Sequence, residues 1–94
     1  MPASVTIYTR ALCPYCWRAT RLLTSKRVAF EERDCTGDAA TRAWLAQVTG
    51  RTTVPQVFVN GRAVGGYDDL AALDRAGELD RLLAEPPQPN PTPP

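Results

Sequence analysis

Val5-Thr6-Ile7-Tyr8-Thr9 carries a β-branched or aromatic side chain at every position. Such a run reads as a buried strand, and a buried strand has to be covered by other layers of structure. The cover begins almost at once. After Arg10-Ala11-Leu12 comes Cys13-Pro14-Tyr15-Cys16, and proline is favoured at the first position of a helix, here expected to run to about Lys26. Ala19, Leu22 and Leu23 form the apolar stripe of that helix, with Arg18 and Arg21 off it. Val28 to Cys35 reads as a second strand with Val28 and Phe30 on one face. Asp38 is a good N-cap for a helix over Ala39–Thr49, buried along Leu45 and Val48 and stopped by Gly50. Val57-Phe58-Val59 and Ala63-Val64-Gly65 flank Asn60-Gly61, the strongest short-range signal for a type I′ hairpin, with Arg62 opening the return strand. Asp68 or Asp69 is expected to cap a helix holding Leu70, Leu73 and Ala76 and ended by Gly77. Glu78–Leu83 forms a last short helical piece. The order β-α-β-α-β-β-α predicts an α/β fold: a four-stranded mixed sheet with helices on both faces.

Composition sharpens the limits. Six of the nine prolines in the 94 residues fall after Glu85, in a stretch without charge. Residues 86–94 are therefore expected to be a disordered or polyproline-like tail, and residues 1–85 the folding unit. A unit of that size excludes a multidomain enzyme or one built around a large cofactor, and no apolar run approaches the ~20 residues of a membrane span. A net charge of +1 gives no whole-chain attraction to nucleic acid or membrane. Its distribution says more: five basic residues and no acid from Met1 to Arg27, but six acids against two arginines from Ala63 to Glu85. Three cysteines do not make the framework of a small secreted protein, and Met1 to Ser4 leads into the first strand with no apolar leader segment. The expected compartment is a reducing cytoplasm.

In such a compartment a C-x-x-C pair reads as redox-active or metal-binding. A thiol attacks as its thiolate, so the setting of a nucleophilic cysteine must favour the anion. Cys13 stands where a strand ends and a helix begins, facing unpaired backbone N–H groups and the positive end of the helix dipole. Pro14 has no N–H, which leaves those of Tyr15 and Cys16. Arg10 adds a fixed charge, and with no histidine in the chain an imidazole base is excluded. Cys16 lies one turn along, placed to resolve a mixed disulfide rather than to start one. A structural zinc site needs four Cys or His ligands, and the chain has three cysteines and no histidine, so no metal is expected. Cys35, at the end of a strand, reads as a small buried hydrophobe, the alternative being a regulatory thiol.

The segment Tyr8–Cys16 resembles the active-site segment of the dithiol glutaredoxins, whose signature is C-P-Y-C after a strand. Thr52-Thr53-Val54-Pro55-Gln56 resembles the family's T-V-P loop, and Gly65-Gly66-Tyr67-Asp68-Asp69 its G-G-x-D-D turn. The likeness covers about Val5 to Leu83 and is nearest to the small bacterial members. It implies a thioredoxin fold, a glutaredoxin domain over residues 1–85, and a glutathione-dependent thiol-disulfide oxidoreductase. Cys13 and Cys16 would be catalytic, and glutathione the reductant. It also implies a cis proline at Pro55 beside the sulfurs, leaving the backbone of Val54 free to pair with an extended peptide thiol. Arg10 and Arg51 are then candidates for the glycyl carboxylate. The N–H groups of Tyr67 and Asp68 suit the γ-glutamyl carboxylate, and the Asp68 side chain the amine. Gly65 and Gly66 allow close approach, while Thr53 and Tyr15 border the groove. The partners implied are glutathione and glutathionylated or disulfide-bonded proteins, met by a monomer.

Two positions depart from the family pattern. Arg10 stands where lysine is commoner, and Tyr67 replaces a smaller residue. Trp17, directly after the second cysteine, reads equally as a docking surface or as partial packing, whereas Trp44, off the Leu45/Val48 stripe, reads rather as packing. Two other activities remain open: a redoxin fed by thioredoxin reductase, and a carrier of an iron–sulfur cluster held between two chains by Cys13 and glutathione. Pro14 argues against the second by stiffening the loop.

Overall fold

The computed structural model describes residues 2–94. It contains β1 (Val5–Thr9), α1 (Pro14–Ser25), β2 (Glu31–Asp34), α2 (Ala39–Thr49), β3 (Gln56–Val59), β4 (Arg62–Gly65), α3 (Tyr67–Arg75) and α4 (Glu78–Leu83). The sheet order is β2-β1-β3-β4. β1 runs parallel to β2, with Thr6 opposite Glu31 and Thr9 opposite Asp34. It runs antiparallel to β3, with Val5 opposite Val59 and Tyr8 opposite Gln56. A helix connects the parallel pair and a tight turn the antiparallel pair β3/β4, as connection length requires. This is the α/β arrangement expected, a thioredoxin fold.

β1 is buried at every residue, because both faces of the sheet are covered. On one face Val5, Ile7, Val57 and Val59 meet Ala19 and Leu23 of α1, Leu70 of α3, and Leu79 and Leu83 of α4. On the other, Tyr8 and Phe58 meet Leu45 and Trp44 of α2. Tyr8 stands edge-on to Phe58 at 5.8 Å between ring centroids. Lys26, just past α1, pairs with Asp74 and, at 2.9 Å, with Asp80, tying α1 to the two C-terminal helices.

Local signals account for most boundaries. The Asp38 carboxylate accepts from the Thr41 N–H at 3.0 Å and caps α2, and Gly50 ends it at φ 77°. Asn60 and Gly61 turn the hairpin with φ of 51° and 83°, the positive pair a type I′ turn demands.

Three expectations are corrected. The ladder of β2 begins at Glu31 rather than Val28; Val28 and Phe30 instead pack half-buried against the larger core, after a reversal at Arg27 with φ 58°. α2 buries Trp44 and Leu45, while Val48 is 48% exposed, because the Tyr8/Phe58 pair receives the indole. The cap of α3 is Gly66, not Asp68 or Asp69; Asp69 acts from the third helical position, its carboxylate accepting from the Gly66 N–H at 3.0 Å. Apart from these three, residues 86–94 carry no helix or strand, and two asparagines make hydrogen bonds that involve them. The Asn60 side chain accepts from the Gln88 N–H and donates to the Pro86 carbonyl. Asn90 accepts from the Gly61 N–H and donates to the Ser4 carbonyl and Thr6 Oγ1. Composition gives no sign of such long-range hydrogen bonds.

The two faces lead to a contrast in stability. Leu70→Ala, at a fully buried site, is expected to cost about 2–5 kcal/mol in urea unfolding, and Val48→Ala to stay within about 0.5 kcal/mol. Equal losses would show that α2 packs on the Leu45/Val48 stripe after all.

Candidate active site

The C-terminal end of β1 and the first turn of α1 bring the two thiols of the C-x-x-C segment together. Cys13 is the N-cap of α1, in extended conformation, and its sulfur accepts the Cys16 N–H at 3.2 Å. A sulfur thus takes the position that a serine or aspartate oxygen fills at most helix starts, satisfying a donor that would otherwise be orphaned. Pro14 is the first helical residue and has no N–H to satisfy. The loop before it is fixed by the Ala11 N–H donating to Thr36 Oγ1 at 2.7 Å, and it passes through Leu12 at φ 56°.

Both cysteines are buried, Cys13 with 5% of its surface open and Cys16 with 2%. Burial pushes the Cys16 thiol up to about 12; its hydrogen bond with Cys13 adds to this, and a hydrogen bond from the Arg10 backbone opposes it. Cys16 is therefore a neutral thiol at any physiological pH. Cys35 is also buried and raised by desolvation, its sulfur donating to the Thr9 carbonyl at 3.1 Å.

Beside Cys13 lies the loop before β3. Val54–Pro55 is a cis peptide, and the Val54 carbonyl is 3.9 Å from Cys13 Sγ. This loop and the start of α3 form the walls of a groove of about 260 Å³ lined by Tyr15, Thr53, Val54, Pro55, Gly66, Tyr67 and Asp68, with Arg51 and Asp69 at its edge. The rings of Tyr15 and Tyr67 stand 6.4 Å apart. The residues expected to border a glutathione site are gathered there except Arg10 and Gly65. Arg10 lines a second hollow of about 210 Å³ with Arg42, Thr52, Thr53 and Val54, so the two hollows meet at Thr53 and Val54. A larger hollow, about 560 Å³, lies at the far end of β1 under the proline-rich tail, away from the thiols.

Two residues at the site, Arg42 and Asp69, are not among those the sequence assigns to it. Arg42 sits on α2 at helical spacing that carries no motif. Asp69 accepts from the Gly66 N–H and pairs with Arg51 at 2.7 Å, so one carboxylate joins the two walls. The Arg51 guanidinium and the Gly66 N–H hold its carboxyl below the usual aspartate range. Asp69 stands three residues after Gly66, the spacing of a capping box with glycine as the cap, and that spacing is the sequence signal for it. Arg51 is consequently already paired, whereas Arg10 and Arg42, which line the second hollow, have no acidic partner among the described residues. Among the described residues no three Cys, His, Asp or Glu side chains converge as metal ligands. No helix among them is long and apolar enough to cross a membrane.

The glutaredoxin family profile matches residues 5–64. The chain is 53% identical over 81 residues to Glutaredoxin 3 of Escherichia coli K12, a match covering 86% of this chain and 98% of that protein. It is 55% identical over 80 residues to the glutaredoxin of Pseudomonas aeruginosa, covering 85% and 95%. Among solved structures, the solution structure of the Brucella melitensis glutaredoxin aligns with a TM-score of 0.75 at 46% identity, covering 88% of this chain and 90% of that one. A buckwheat glutaredoxin–glutathione complex aligns with a TM-score of 0.80 at 29% identity, covering 84% and 74%.

The burial of Cys16 and Cys35 has a spectroscopic consequence. In Cys13→Ser, absorbance at 240 nm should stay flat from about pH 4 to 8.5, because desolvation, the largest cause at both remaining thiols, persists. A thiolate step within that range would show that one of them is open to water.

Proposed function

The chain belongs to the glutaredoxin family, and from that premise we propose that this thiol-disulfide oxidoreductase draws its electrons from glutathione and acts on protein–glutathione mixed disulfides and protein disulfides. The observation that carries the reading is the adjacency of Cys13 to a groove with the chemistry of a γ-glutamyl peptide. Val54 offers backbone for strand-like pairing to an extended thiol. The start of α3 at Tyr67 and Asp68 offers N–H groups for a carboxylate and a carboxylate for an amine. Arg10 serves the second carboxylate. Thr53, Pro55, Gly66 and the rings of Tyr15 and Tyr67 shape the walls.

With a glutathionylated protein, the Cys13 thiolate attacks the glutathione sulfur, and the protein thiolate leaves. A second glutathione thiolate then attacks the sulfur of the Cys13–glutathione disulfide, releasing glutathione disulfide and restoring Cys13. With a protein disulfide, Cys13 forms a mixed disulfide with the substrate. Cys16 then attacks the Cys13 sulfur, its proton passes to the departing substrate thiolate, and a Cys13–Cys16 disulfide remains for two glutathiones to reduce. The raised Cys16 thiol fits this order of events. While Cys13 is free, its hydrogen bond and charge help to keep Cys16 protonated; once Cys13 is in a disulfide both contributions are gone, and the hydrogen bond from the Arg10 backbone remains to favour the anion. On this reading residues 1–85 are the redox domain, active as a monomer, and the reducing cytoplasm is its compartment.

The test is glutathione-coupled reduction of the mixed disulfide of glutathione and 2-mercaptoethanol, with a protein disulfide in parallel. Cys13→Ser should be inactive on both. Cys16→Ser should keep the first activity and lose the second. Asp68→Ala should raise the KM for the glutathione conjugate by about tenfold, the equivalent of one charged hydrogen bond of about 1.5 kcal/mol. Activity surviving in Cys13→Ser would overturn the assignment.

A further inference from the structure

The start of α1 presents apolar side chains that nothing among the described residues covers. A residue just before a helix cap and the fourth residue of the helix commonly close over each other as an apolar staple; here those residues are Leu12 and Trp17. They remain open, Leu12 at 85% exposure and Trp17 at 57%, with Tyr15 at 52% between them. Leu12 is also held at φ 56°, a backbone region that an exposed leucine gains nothing by occupying. Three large apolar side chains within four residues of the buried Cys13 are therefore open to solvent.

The charge around them is of one sign. Arg18 lies over the Tyr15 ring at 5.2 Å, and Arg21 follows Trp17 by one helical turn. Among the described residues neither has an acidic partner, whereas Lys26, Arg33, Arg51, Arg62 and Arg81 all do. No acid occurs before Glu31 to offset them. Among the described residues Arg27, Arg42 and Arg75 also lack an ion pair, so what sets Arg18 and Arg21 apart is their place beside these open side chains on the helix that starts at Cys13.

We propose that Leu12 and Trp17, with Arg18 and Arg21, dock protein substrates whose reactive cysteine is flanked by carboxylates and an apolar side chain. This rests on the reading of Cys13 as the nucleophile for protein disulfides, and adds the chemistry that selects among them. The apolar contact supplies affinity, and the guanidinium groups supply orientation and rate of encounter.

The test uses two peptides with serine in place of the reactive cysteine, alike except that two glutamates beside a leucine in one are lysines in the other. Calorimetry at 50 mM NaCl should show the glutamate peptide binding about tenfold more tightly, and the preference should shrink at 500 mM NaCl. Arg21→Glu should reduce the preference to below about threefold, while Trp17→Ala should weaken the glutamate peptide by about fivefold or more. Both variants should turn over the glutathione–2-mercaptoethanol disulfide within about twofold of the wild-type rate, since that small substrate does not reach the surface. Equal affinity for the two peptides, or a preference that survives in Arg21→Glu, overturns the proposal. So does salt-sensitive dimerisation in sedimentation that Arg21→Glu abolishes, which would assign the surface to the acidic C-terminal third of a second copy. A wild-type chain inactive on the small disulfide would instead contradict the glutathione reading, with the surface judged on the affinities alone.

Discussion

The hydrogen bond from the Cys16 N–H to the Cys13 sulfur joins fold and chemistry in this molecule. A helix must satisfy its first N–H groups, and this one satisfies one of them with a thiol side chain. The sulfur is thereby held at the end of the central strand, where the start of a helix favours negative charge by about 0.3–1 kcal/mol, and more where partly buried. Pro14 removes a donor that would have needed a partner and sets the helix direction. Cys16, one turn in, is left under the helix in an environment that keeps it protonated. The different surroundings of two chemically identical side chains follow from their being a cap and a third helical residue.

A carboxylate plays the corresponding part across the groove. Asp69 accepts from the Gly66 N–H and pairs with Arg51, so the loop at Val54–Pro55 and the start of α3 are joined through one side chain. Gly65, at φ 116°, leaves the room this requires, since a β-carbon there would collide with the Asp69 carboxylate. The distance between the walls is fixed by a residue that need not touch any ligand itself.

What was legible in the sequence was whatever short spacing determines. The Val5–Thr9 run, the Asn60-Gly61 turn, the Asp38 cap and the C-P-Y-C segment each act within a few residues and could be read directly. The candidate groove was legible because its residues sit in two short motifs, although their meeting depends on β1, β3 and α3 packing as they do. Contacts between residues far apart in the chain were not legible. Nothing local says that Asn90 reaches Ser4 and Gly61, that Trp44 rather than Val48 faces the sheet, or that Arg51 is taken by Asp69. The near-neutral total charge likewise concealed which arginines stay unpaired, a property of the folded surface alone.

The most direct measurement is the position of glutathione on the protein. In the Cys16→Ser chain treated with glutathione disulfide, intermolecular nuclear Overhauser contacts should run from the cysteinyl residue to Val54 and Pro55. They should run from the γ-glutamyl group to Tyr67 and Asp68, with the tripeptide attached at Cys13. Attachment at Cys35, or a Cys13 adduct whose tripeptide shows no contact with the Thr53–Pro55 and Gly66–Asp68 walls, would contradict the assignment.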